Sequence, residues 1–181
     1  MINFDLDPFL IKSYFDEEIP RDFQTLCQLV QHLSTEHLAN EEAYHLVIKE
    51  RKGSDAAKHA FLTKIAWLHG IEGIELIAGI FLAYPEDFPK LATQLESRSL
   101  SCIPSIRCYL RYQGKRFDFS GIQPNIQLLE STIVREQGME PHQSFDWKNR
   151  IFEHYLEKWI VRKGQIELSA ADILHLQTIL H

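Results

Sequence analysis

Asp55, Arg107 and Asp118 are the residues of this chain whose types and settings could carry chemistry. Asp55 sits in Gly53-Ser54-Asp55-Ala56-Ala57-Lys58-His59-Ala60, where short polar residues lead into a helical, alanine-rich stretch. The first turn of a helix offers unpaired N–H groups and the positive end of the helix dipole, so an anion is favoured there. A thiolate at that place would be an activated nucleophile. A carboxylate gains the same stabilisation but cannot do thiolate chemistry. Arg107 keeps its proton near neutral pH and cannot act as a general base.

Alternation along two extended segments brings these groups together. Arg107, Tyr109 and Arg111 share one face of the first segment; Ile106, Cys108, Leu110 and Tyr112 share the other. Arg116 and Asp118 share a face of the second. Arg107 and Asp118 are therefore expected to meet, with Asp55 approaching from the helix tip as an Asp55–Arg107–Asp118 ion network. The plainer alternative is that Asp55 is a helix cap and Arg107 a surface strand residue. Cys108 points away from this group and makes a poor nucleophile.

The remaining candidates have ordinary readings. Cys27, Cys102 and Cys108 are odd in number and lack zinc-ligand spacing, so free thiols are expected. Cys102, in a loop before Ile103-Pro104, could be exposed and reactive, but no base is identifiable for it. Among nine histidines none pairs at the i, i+4 spacing of a helical metal site, and His175 and His181 are six apart. Lys58 and His59 read as helix packing or surface groups. Trp67, Trp147 and Trp159 read as core or helix-interface anchors rather than a ligand cage. Glu153, Glu157 and Lys158 read as solvated charge pairs.

The elements that must position these groups follow from periodicity. Residues 21–34 put Phe23, Leu26, Cys27, Val30 and Leu33 on one helical stripe. A second helix is expected at 41–52, with Tyr44, Val47 and Ile48 inward. The third, at 56–69, is capped by Asp55 and closed by Gly70, and buries Ala57, Ala60, Phe61, Ile65 and Leu68. Segment 74–82 is nearly continuous in apolar residues, as a strand buried on both faces is. Residues 84–100 read as a connection with a short helix near 87–96. Strands at 105–112 and 115–119 flank Gln113-Gly114 as a tight hairpin. Residues 121–143 are turn-rich without a definite element. Helices at about 145–162 and 169–180, the second capped by Ser169, complete an α+β chain.

The stretches GSDAAKHAFLTKIAWLHGI, ELIAGIF, IPSIRCYL and GKRFDFSG resemble a bacterial transglutaminase-like superfamily, distant relatives of papain-like cysteine enzymes. Its pattern runs Gly-Thr/Ser-Cys-Ser-Ser-Lys-His-Ala, an apolar helix and a strand, then Ile-Pro-Glu-Ala-His-x-Tyr-Leu and Arg-Ile-Asp-hydrophobic-Thr. On this match the family's cysteine falls on Asp55, its histidine on Arg107 and its acid on Asp118. The resemblance implies a papain-like α+β core, with the 56–69 helix on an antiparallel sheet, forming one domain over 1–181. It also implies that the catalytic thiol and imidazole are gone. A pseudoenzyme with a binding or structural role follows. The alternatives are a cysteine hydrolase or acyltransferase using Cys102, and a module binding an anionic small molecule or peptide at Arg107.

Composition narrows the classes further. At 181 residues, 45% hydrophobic and 24% charged, the chain suits one folded domain. A net charge of -6 disfavours non-specific nucleic-acid binding. No 18-residue apolar run or signal-like N-terminus is present, so cytoplasmic residence without membrane association is expected. No cofactor or metal is implied, and a small molecule or peptide is the ligand class left open.

Overall fold

The computed structural model describes residues 2–164 and 169–180; His181 lies outside them. Its helices are α1 (Pro8–Ile11), α2 (Phe23–His32), α3 (Asp55–Leu68), α4 (Ala92–Glu96), α5 (Ser144–Lys163) and α6 (Ala170–Gln177). Its strands are β1 (Glu75–Ala83), β2 (Ile103–Tyr112), β3 (Lys115–Phe117) and β4 (Ile133–Met139). They form one antiparallel sheet in the order β3-β2-β1-β4. The class is α+β, as the sequence implies.

Local chemistry fixes the central helix. Ser54, not Asp55, is the N-cap: its hydroxyl oxygen accepts from the Ala57 N–H at 3.1 Å. Asp55 is the first helical residue. The helix ends where Gly70 takes φ +68°, a left-handed conformation that glycine adopts without strain. The buried residues of α3 lie all round its first three turns, so it is a core helix and not a one-sided amphipathic one. Ala56 and Ala60 join a core with β1, α5 and α6; Ala57, Phe61, Leu62, Ile65 and Ala66 join a second core with α2 and the N-terminal segment.

Strand β1 is buried along almost its whole length between β2 and β4. Gly79, opposite Arg107, lets the ring of Tyr109 cross the strand; a Cβ there would lie 2.5 Å from that ring. Tyr109 is anchored by its hydroxyl, which donates to Glu136 on β4 at 2.5 Å.

Three expected elements differ. The helix expected at 41–52 is a 3-10 segment, Glu41–Leu46, broken at Ala43 and followed by turns. Glu41 directs its carboxylate to the Leu38 N–H at 2.7 Å, a local bond that competes with a regular helix, and to the Ser54 hydroxyl at 2.5 Å, which ties the segment to the start of α3. The strand expected at 115–119 stops at Phe117, because Asp118 turns to receive the N–H groups of Ser120 and Ile126. Within 121–143 lies β4, an edge strand whose exposed Arg135 and Gln137 obscure any strand alternation. Among the described residues no helix is long and apolar enough to cross a membrane.

Candidate functional site

The tip of α3 meets the edge of β2 beyond the point where β3 ends. β3 pairs only as far as Leu110, so the Cys108 N–H is left without a ladder partner on that side. The Asp55 carboxylate takes it, with Oδ2 2.6 Å from the Cys108 nitrogen. A cation from a third element completes the group: Lys148 Nζ on α5 donates to both Asp55 oxygens at 2.6 and 2.9 Å. Both side chains are largely covered, at 9% and 16% exposure. Burial works to raise the Asp55 pKa, but the Lys148 charge and hydrogen bonds prevail and hold it well below its ordinary 3.8. Lys148 shifts reciprocally: burial opposes its charge, the Asp55 carboxylate outweighs that, and its pKa is raised.

Arg107 and Asp118 do meet. Arg107 is 2% exposed, lies 3.5 Å from Asp118 Oδ2, donates to the Pro124 carbonyl and rests over the Phe81 ring at 5.6 Å. Asp118 anchors the following loop through the Ser120 and Ile126 N–H groups at 2.9 and 3.1 Å. The expected three-membered network is thus two pairs, Asp55 with Lys148 and Asp118 with Arg107. The reading of Arg107 as a surface residue and of Asp55 as the cap are both replaced.

His59 and Lys58 are neither surface groups nor simple packing. His59 Nδ1 donates to the Asp55 carbonyl at 2.8 Å, and its Nε2 accepts from the Phe119 N–H at 2.8 Å. Those partners require the neutral ring protonated on Nδ1. Burial, only partly opposed by Asp118 with an oxygen 3.8 Å away, keeps its pKa below the ordinary value. Lys58 is fully buried, and its Nζ donates to the Leu33 carbonyl (2.8 Å), the Thr35 hydroxyl (2.9 Å) and the Ser120 carbonyl (2.7 Å). Burial, opposed by the Asp118 and Asp55 charges, brings it down to about 8.

A cleft of about 750 Å³ opens over this tip. Ser54, Asp55 and Lys148 line it with Phe88, Ile122 and Leu180, so it combines charged groups with apolar ones. Arg107 is not among its lining residues. All three cysteines are buried and free; Cys102, which its loop position could have left exposed, is 4% exposed. Burial pushes the thiols of Cys27 and Cys108 far up, with Asp22 and Asp55 respectively adding to it. Among the described residues no three His, Cys, Asp or Glu side chains are grouped to hold a metal ion.

Lys148 is the functional residue that motif reading misses. Its signal is positional: it falls on the inward stripe of α5 with Ser144, Ile151, Phe152, Leu156 and Trp159, where a lysine needs a buried anion. The site therefore defines an α+β protein with a salt-bridged aspartate at a helix tip beneath a cleft. Comparison with protein-family models, with curated proteins and with solved structures finds no match.

Proposed function

We propose that the protein is a catalytically inactive, transglutaminase-like protein whose cleft holds a small-molecule or peptide ligand without transforming it. The supporting observation is the Asp55–Lys148 pair at the tip of α3, where a cysteine enzyme would carry its thiol. An Asp carboxylate bound by an ammonium and a backbone N–H is a poor nucleophile and has no partner base. His59 spends both ring nitrogens on backbone groups, and Arg107 holds its proton. The chain order of helix tip, strand bearing Arg107 and return bearing Asp118 is the order in which the resemblance places its cysteine, histidine and acid.

The alternatives have less behind them. A hydrolase using Cys102 needs an imidazole within hydrogen-bond reach, yet among the described residues no cysteine sulfur has a histidine partner. Cys102 Sγ instead accepts from the Ser101 hydroxyl at 4.0 Å and lies beside the Tyr84 hydroxyl. Anion binding at Arg107 needs an accessible guanidinium, and this one is buried and committed.

The test is turnover of amide, ester and glutamine-plus-amine substrates. Wild type and Asp55→Ala should give the same background rate. Turnover that disappears on alkylation of Cys102 would reinstate the hydrolase reading.

A further inference from the structure

The chain has a second concavity, of about 410 Å³, that shares no lining residue with the cleft over Asp55. Two of its walls are indoles, Trp67 near the end of α3 and Trp147 near the start of α5. Each is 41% exposed, whereas Trp159 is 7% exposed and packs in the core. Leu76 and Met139 line it but are themselves buried, so the indoles are its main apolar groups, and two carboxylates, Glu75 and Glu140, stand at the same concavity. Glu75 is engaged by Arg111 at 2.9 and 3.2 Å. Glu140 is exposed, and among the described residues no cation is paired with it. Lys148, next to Trp147 in sequence, turns instead to Asp55 and supplies no charge here.

We infer that this concavity is a binding site for a small organic cation of the quaternary or alkylated ammonium class. A half-exposed indole attracts a cation through the ring quadrupole, and an alkylated ammonium adds methyl surface that water holds weakly. The carboxylate of Glu140 supplies a counter-charge that a neutral apolar guest would leave unused and that would repel an anion. A chain of net charge -6 favours the same sign of ligand.

The test uses choline and its neutral carbon isostere 3,3-dimethyl-1-butanol, each titrated against the full chain by ligand-observed NMR and tryptophan fluorescence. Choline should bind saturably, and the isostere at least about fivefold more weakly. Glu140→Gln and Trp147→Leu should each weaken choline by a similar factor, and raised salt should weaken it as well. Equal binding of choline and the isostere would overturn the inference in favour of a merely apolar surface. So would the absence of saturable binding to wild type, a result that depends on no variant folding.

Discussion

Asp55 and Lys148 come from positions 93 residues apart and hold each other by two short contacts, largely covered, in the wall of the cleft. Removing one partner strands the other charge, which is costly, whereas removing both is milder. Lys148→Met should therefore cost about 3–5 kcal/mol in urea denaturation, and Asp55→Asn with Lys148→Met should recover a good part of it. A double-mutant cycle should give strong coupling between 55 and 148 and little between 55 and 107. Coupling of equal size at both would restore the three-membered network. Acid should act in two stages. The folded His59 pKa is depressed, so its contribution is complete above about 6.5, where both states are neutral. Below that the unfolded chain takes up a proton that the folded site refuses, and stability falls. The folded Asp55 pKa is also depressed, so its contribution is present above 3.8 and declines as pH falls further towards the lower folded value. Stability measured against pH should show both stages, and Asp55→Asn should reduce the lower one, to which Glu136, also held below its ordinary pKa, contributes as well. The Arg107–Asp118 meeting was legible in the sequence through period-two alternation along the two extended segments, although Asp118 itself lies one residue past the end of β3. Lys148 was not, since no local periodicity relates α5 to the tip of α3.

Elements differed in legibility for the same kind of reason. β1 reads directly because burial on both faces leaves a continuous apolar run. β4 does not, because an edge strand carries charge on its open side. The segment beginning at Glu41 looks helical by spacing, yet Glu41 and Asn40 bind local backbone N–H groups and divert it. Packing between strands supplies a sharp test through two glycines of adjacent strands. A Cβ on Gly79 would collide with the Tyr109 ring, which its bond to Glu136 keeps from withdrawing. A Cβ on Gly138 would meet nothing within 4 Å. Gly79→Ala should cost about 1–3 kcal/mol by chemical denaturation, while Gly138→Ala should stay within about 0.5 kcal/mol of wild type. Equal losses would mean that Tyr109 does not lie across β1 as described.

At the scale of the whole molecule, α3 makes the two cores interdependent. Ala56 and Ala60 face the core containing β1, β2, α5 and α6, and Phe61, a few residues on, is buried in the core built with α2. Neither core keeps its packing if the helix leaves, so the chain is expected to unfold as one unit. Phe61→Ala removes a buried ring from the α2 core alone and should cost about 3–5 kcal/mol. Trp159, buried in the other core, reports on that loss at a distance. With Trp67 and Trp147 changed to Phe, Trp159 fluorescence and far-ultraviolet circular dichroism should give coincident urea transitions, and Phe61→Ala should move both midpoints by the same amount. If the Trp159 transition stays in place while the dichroism shifts, the cores unfold separately, and the cleft at the tip of α3 belongs to a protein of two units.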